Sequence, residues 1–174
     1  TGLKGKAALV TGANHGIGEA IAVALAREGA AVFLTYLRIS PKKSAGVHLK
    51  KAEMAEEPGP EYYYKILTQD AGSAIRSIHD LGGRCEAWET DLSEPDNISR
   101  LMDKAEDALG KVDILVNNAD HDQPDSFLPA DELPVNGLFG GEYPLETLSA
   151  RSHDEHFAVN SRAAALLMVE FSRR

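Results

Sequence analysis

Residues 11–18 read Thr-Gly-Ala-Asn-His-Gly-Ile-Gly and directly follow the apolar run Ala7-Ala8-Leu9-Val10. Glycines at this spacing, between a buried strand and a helix, make a turn whose backbone N–H groups receive a dinucleotide pyrophosphate. Gly12 permits the tight turn out of the strand. Gly16 removes a Cβ where the backbone must approach phosphate, and Gly18 lets the helix pack closely on the sheet. Asn14, His15 and Ile17 complete the turn and join the glycines as candidate cofactor-binding residues. His15 adds positive character when protonated, although a pKa of about 6.5 makes it a part-time cation near neutrality.

The end of the second strand bears on which dinucleotide is held. An acidic residue about 20 positions beyond the glycines would bind the ribose 2′-hydroxyl of NAD. No acid is there: the segment is Thr35-Tyr36-Leu37-Arg38, with Arg38 20 residues after Gly18. A guanidinium can clamp a 2′-phosphate in bidentate fashion, so Tyr36 and Arg38 favour NADP(H) over NAD(H). A solvated surface arginine is the competing reading of Arg38.

These residues need a parallel sheet beneath them. Short apolar runs alternate with helical periodicity, the pattern of repeated βα units. The expected strands are Ala7–Val10, Ala31–Tyr36, Cys85–Glu89 and Asp113–Asn117. The first helix is expected to bury Ile17, Ala20, Ile21, Ala24 and Leu25, and the second Ala74, Ile75, Ile78 and Leu81, with Gly29 and Gly82-Gly83 as stops. Ser93-Glu94-Pro95-Asp96 reads as the capped start of a third helix, whose apolar face is Ile98, Leu101, Met102, Ala105 and Leu109. A last helix is expected from about Ser152 onward, with Ala164, Leu167, Met168 and Phe171 on its apolar side.

Two segments break the rhythm where strand carboxyl ends would meet ligand. The first, about 39–69, holds Ser40-Pro41, Lys42-Lys43, a short helix around Val47 to Ala55, the breaker Pro58-Gly59-Pro60 and Tyr62-Tyr63-Tyr64. The second, about 121–148, is rich in Pro, Gly and Asp, with Phe127, Leu128, Leu138, Phe139 and Tyr143 scattered through it. Loops of this length are usually functional. A substrate-covering or subunit-contacting role and a tolerated surface decoration both stand for the second. The tyrosine triplet is expected to bury aromatic area under the first insertion.

Composition narrows the classes of partner. The 174 residues are 43% hydrophobic and carry a net charge of −9, which suits a globular domain and disfavours nucleic acid or an anionic membrane as partner. No apolar run approaches the ~20 residues of a membrane span. The single cysteine, Cys85, falls in an expected strand and reads as a buried structural thiol in a reducing cytoplasm.

With these residues in view, the chain resembles the classical short-chain dehydrogenase/reductase family over essentially its whole length, 3-oxoacyl-carrier-protein-reductase-like members in particular. Thr11-Gly12-x-x-x-Gly16-x-Gly18 is similar to the family's cofactor turn, and Asp91-Leu92 to the acid-plus-apolar pair that holds the adenine. Asn117-Asn118-Ala119 is similar to the motif ending the fourth strand, and Asn160 falls where the family keeps a helix asparagine. The resemblance implies an α/β fold: a Rossmann-type doubly wound parallel sheet, truncated after the fourth strand and the following helix. Residues 1–174 would be one dinucleotide-binding domain carrying the two insertions. Asp91 would accept from the adenine amino group or serve as a turn residue. Asn118 and Ala119 would lie beside the adenosine, Asn117 would tie strands through backbone hydrogen bonds, and Asn160 would hold water in a proton relay or satisfy a helix carbonyl.

The resemblance further implies an NADP-dependent oxidoreductase that moves hydride between nicotinamide and a small-molecule carbonyl or secondary alcohol. The protein would be a cytoplasmic homo-oligomer, dimer or tetramer. Two departures stand out. Asp120 replaces the glycine usual after Asn-Asn-Ala, and no Tyr-x-x-x-Lys occurs in the chain; Tyr62 and Lys65 are one residue short of that spacing. The chain is therefore expected to be the N-terminal part of a longer enzyme, with Arg173-Arg174 a plausible cut site, or to have its sheet edge covered by partner chains. A noncatalytic nucleotide-binding module or an inactive fragment is the alternative. His153-Asp154-Glu155-His156 suggests a metal site only weakly, since a solvated helix start has the same pattern; no metal is expected.

Overall fold

The computed structural model describes residues 1–39, 54–123, 125–133 and 145–174. They belong to two compact units, Thr1–Leu37 with Gln69–Asp120 and Phe157–Arg174, and Arg38–Thr68 with His121–His156. Ser40-Pro41, Lys42-Lys43, most of the helix expected around 47–55, and Leu138, Phe139 and Tyr143 lie outside the described residues.

In the first unit the apolar runs become strands β1 (Ala7–Thr11), β2 (Ala31–Tyr36), β3 (Cys85–Glu89) and β4 (Ile114–Val116). They form a parallel sheet in the order β3-β2-β1-β4, with Val10 opposite Leu34 on one side and Val116 on the other. All five residues of β1 are buried, as a central strand covered on both faces requires. β4 is shorter than expected. Its first candidate, Asp113, instead uses its carboxylate to accept from the Ala7 N–H (3.0 Å) and the Lys6 ammonium (2.7 Å).

Alternating strand residues feed two cores, because successive side chains point to opposite faces. Helices α1 (Gly16–Arg27) and α3 (Gly72–Asp80) cover Val10, Val32 and Leu34. Helices α4 (Asp96–Leu109) and α6 (Ala164–Arg173) cover Leu9 and Phe33 with Leu101, Met102 and Leu167. The sheet is thus doubly wound. Burying each large aliphatic side chain contributes about 2 kcal/mol, so Ile98, Leu101 and Met102 hold α4 in place through one face.

Four local expectations need correction. The buried face of α1 is Gly18, Ala22 and Ala26, while Ile17 is 75% exposed and Ala20 and Ala24 face solvent. A helix that sits this close to a sheet turns its smallest residues inward, and Ile21 and Leu25 flank them half-buried. On α3 the inward residues are Ala74 and Ile78, and Leu81, just past its end, is exposed. Ser93 does not cap α4, which starts at Asp96 with no side-chain cap; the Ser93 N–H instead donates to Asp91 Oδ1 at 2.8 Å. On α6, Leu167 is buried as expected but Met168 is exposed. Cys85 is buried in β3, where desolvation first and the Glu86 charge second push its thiol up to about 12.

The second unit contains α2 (Pro60–Leu67), the strand pair β5 (Asp125–Ser126) and β6 (Glu146–Thr147), a 3-10 turn at Ala130–Glu132, and α5 (Ala150–Phe157). Pro60, read as a breaker, stands in the first helical turn, where its missing N–H costs nothing. Tyr63 and Tyr64 meet edge to face at 6.1 Å, and Tyr63 is exposed, so the triplet is not a buried aromatic cluster. The helical run beginning with α5 starts two residues before Ser152 and continues through a π-helical segment, Ala158–Ala163, into α6 of the first unit.

Candidate cofactor site

The strand order places a topological switch at β1: the chain runs outward through β2 and β3, then returns to the opposite side of β1 as β4. Ligands of open α/β sheets bind in the crevice at such a point, beyond the strand carboxyl ends. The glycine turn, Tyr36, Asp91 and Asn118 all follow or close strands at that end.

The crevice is stitched by side chains. Thr11 is buried, and its Oγ1 accepts from the backbone N–H groups of Asn118 (2.9 Å) and Ala119 (3.0 Å) while donating to Val116 O (3.3 Å). Asn118 Nδ2 donates to both Thr11 O and Gly12 O at 2.9 Å. The residue that ties β1 to β4 is therefore Asn118, through its side chain. Asn117, expected in that role, is exposed beyond the end of β4. Thr11 is a site residue that the sequence reading quoted in the motif but did not select. The available signal was a hydroxyl at the end of a fully apolar strand, where it must find partners.

The surroundings of the three glycines follow the expected division of work and add its partners. A Cβ on Gly12, whose φ is +63°, would stand 2.7 Å from Ala119 Cα. A Cβ on Gly18 would collide with Gly12 O and come within 2.6 Å of Asn118 Nδ2. Both glycines are consumed by protein packing around the Asn118 stitch. Gly16, at φ +62°, has nothing among the described residues within 4 Å of the corresponding position, so open space lies in front of the turn there. That open face is what an approaching phosphate requires.

The other candidates fall as follows. Asn14 is buried and donates to Gln69 O at 2.8 Å, which fixes the turn from below. His15 precedes α1 and is half-buried; burial lowers its proton affinity below the ordinary value, and the carboxylates of Glu19 and Asp120 only partly oppose this. It is thus neutral at neutral pH. Tyr36 closes β2 half-buried, its carbonyl accepting from Thr90 N–H at 2.9 Å, and Arg38 lies exposed in the second unit. Asp91 takes the turn role through Oδ1, and its carbonyl accepts from Asn97 Nδ2 at 2.9 Å. Leu92 is buried in the core beside Leu101 and Met102. Asn160 is exposed in the π-helical segment, and Arg162 of that segment donates to Ser93 O at 2.6 Å, bracing it against the turn that Asp91 shapes. π-Helical turns recur at functional sites because they displace one residue from the regular helix face.

Among the described residues, no three His, Cys, Asp or Glu side chains converge to hold a metal, and no helix is long and apolar enough to cross a membrane. Of the suggested metal cluster, His153 is exposed and contacts Asp154 at 3.4 Å, while His156 turns toward His121 and Asp125.

Comparison with known proteins extends this picture to the whole chain. A family model described as short chain dehydrogenase matches residues 6–58 and 52–174. An uncharacterized oxidoreductase of Bacillus subtilis (strain 168) is 32% identical over 171 residues, 97% of this chain and 50% of that protein. The NADPH-dependent aldehyde reductase 1, chloroplastic, of Arabidopsis thaliana is 34% identical over 117 residues, 67% of this chain and 33% of its own length. A short chain dehydrogenase from Burkholderia cenocepacia J2315, solved in complex with NADP, superposes with a TM-score of 0.67 at 29% identity, covering 100% of this chain and 52% of that one. The chain thus spans about half the length, or less, of these relatives. Fold, strand-end stitching and a family match running from β1 to α6 agree, and the chain belongs to the short chain dehydrogenase family.

Proposed function

We propose that this chain forms the NADP(H)-binding part of an oxidoreductase acting on a carbonyl or secondary alcohol. The observation that carries the reading is the open face at Gly16, set between two glycines whose own faces are filled by Ala119 and Asn118. The positive φ of Gly16 calls for glycine by itself, and the open space in front of it is where a phosphate can approach the backbone. The backbone N–H groups at the start of α1, with the positive end of the helix dipole behind them, would hold the pyrophosphate. Thr11 and Asn118 keep those groups in position. Asp91 and Leu92 would bound the adenine side, with Ala119 beside the adenosine. Tyr36 and Arg38 would receive the 2′-phosphate, a preference supported by the NADP complex of the Burkholderia protein and the NADPH dependence of the Arabidopsis relative. The bound dinucleotide would supply hydride chemistry at its nicotinamide. Asn160 would hold a water for proton transfer. A small-molecule substrate, a homo-oligomeric state and a cytoplasmic location complete the reading; the buried thiol of Cys85 suits a reducing compartment, and Phe157, Met168 and Val169 offer exposed apolar area for a second subunit.

The test is a fluorescence titration with NADPH and with NADH. NADPH should bind more tightly, and Arg38→Ala should weaken NADPH about tenfold, the loss expected of one charge-assisted contact, while leaving NADH unchanged. Equal weakening of both, or no binding of either, would overturn the assignment. The alternative reading is a nucleotide-binding module without turnover. Tight NADPH binding without oxidation or reduction of any carbonyl or alcohol by the whole protein would establish it.

A further inference from the structure

Within the second unit, His121 and His156 are the first and last residues of its second stretch, and they meet. Their rings contact edge to face with centroids 5.3 Å apart, and His156 Nδ1 donates to the His121 carbonyl at 2.9 Å. This contact closes the neck of a 36-residue excursion. It also commits the one ring hydrogen of a neutral His156 to Nδ1, leaving Nε2 as an acceptor. Nε2 is buried and, among the described residues, has no hydrogen-bond partner. The same is true of Asp125 Oδ2, and the two lie 3.7 Å apart. Two buried acceptors facing each other are each deprived of water and repel one another. One proton eases both defects, since an imidazolium is attracted to the carboxylate across the 3.7 Å gap and its Nε2–H becomes a donor on a small approach.

We propose that a single proton shared between His156 and Asp125 locks the neck of the 121–156 excursion, making it a pH-sensitive clasp that ties β5 to α5.

The surrounding charges suit this role. On the β5 side, Glu146 stands in register with Asp125 and adds negative charge, and Asp122 lies on the approach to the strand. His121 has its own partner. Its Nε2 accepts from the Gln123 amide at 2.7 Å, and that amide also donates to Glu155 Oε2 at 2.5 Å. On α5, the other oxygen of Glu155 accepts from Arg151 Nε at 2.8 Å, and His153 faces Asp154. Gln123, Glu155 and Arg151 are thus engaged with one another, and Asp125 is the carboxylate opposite His156 Nε2. The clasp is closed at pH values where the shared proton is bound. It loosens as the pH rises and the proton leaves.

Hydrogen–deuterium exchange on the protein, corrected for the intrinsic pH dependence of exchange, tests this at about pH 5.5 and about pH 8. Amides in 121–133 and 145–156 should lose protection about tenfold or more between the two, as loss of one proton over this range permits, while amides in β1 and β2 stay unchanged and report an intact sheet. Asp125→Asn is the diagnostic variant. Its side-chain N–H can donate to a neutral Nε2, so the neck should stay protected at both pH values. Asp125→Ala should leave it weakly protected at both. Equal wild-type protection at the two pH values, or an unchanged pH dependence in Asp125→Asn, would overturn the proposal.

Discussion

Replacing Thr11 with valine removes one oxygen atom and little else. In the native protein that oxygen accepts from the N–H groups of Asn118 and Ala119 and donates to Val116 O. Valine preserves the β-branched shape a central strand favours, so the strand itself should survive. The two N–H groups lose their acceptor, at about 1–1.5 kcal/mol each, and a methyl in place of the hydroxyl returns about 1 kcal/mol of apolar burial. The net loss is about 1.5 kcal/mol, a factor of about 10 in the ratio of folded to unfolded protein. Urea unfolding followed by circular dichroism would read it as a lower midpoint at unchanged slope. Thr11→Ser, which keeps the oxygen, should recover most of the loss. The dinucleotide titration should follow the same order, because Asn118 and Gly12 move with the stitch. If valine cost less than about 0.5 kcal/mol, or serine cost as much as valine, the hydroxyl would not be what joins the two strands.

Three further outcomes follow from the same geometry. Gly18→Ala should destabilise the fold strongly, because its Cβ meets the Gly12 carbonyl, whereas Gly16→Ala should cost only about 1–2 kcal/mol through its positive φ yet weaken NADPH binding more than Gly18's neighbours would suggest; parallel melts and titrations separate the two effects. The Lys6 hydrogen bond, then that of the Ala7 N–H, holds the Asp113 carboxyl below its ordinary 3.8, so its stabilising contribution is complete above that value and is lost as pH falls through the folded-state value. The gap in urea midpoint between wild type and Asp113→Asn should be full at neutral pH and close in acid; a gap that does not narrow would refute this. Cys85, its thiol pushed up to about 12 in the folded strand, should resist iodoacetamide at about pH 8 and react once urea unfolds the protein, as intact mass would record.

The strands were legible because a parallel strand covered on both faces must be apolar along its whole length, and Ala7–Val10 and Ala31–Tyr36 have no other reading. The amphipathic face of α4 was legible for the same reason, with Ile98, Leu101, Met102 and Ala105 all inward. The phase of α1 was not. Apolar periodicity ranks Ile17 above Gly18, but what decides the inward face is how near the helix must come to the turn. The start of α4 was misplaced because Asp91, two residues upstream, competes successfully for the Ser93 N–H. In the candidate site, the glycine spacing pointed to the right turn and to Gly16 as its open position, yet the residues that pack Gly12 and Gly18, Ala119 and Asn118, lie about 100 residues away in sequence. Such partners leave no local trace in the chain.

The stitch between β1 and β4 has a consequence for how such sequences change over evolutionary time. Thr11, Gly12, Gly18 and Asn118 are held in place by one another. A lineage that abandoned hydride transfer would still be penalised for altering them, since the sheet would be weakened at its switch point. Gly16 has no such protection beyond its backbone angle. Drift should therefore erase that glycine first, which makes its persistence a better indicator of retained nucleotide binding than the rest of the motif together.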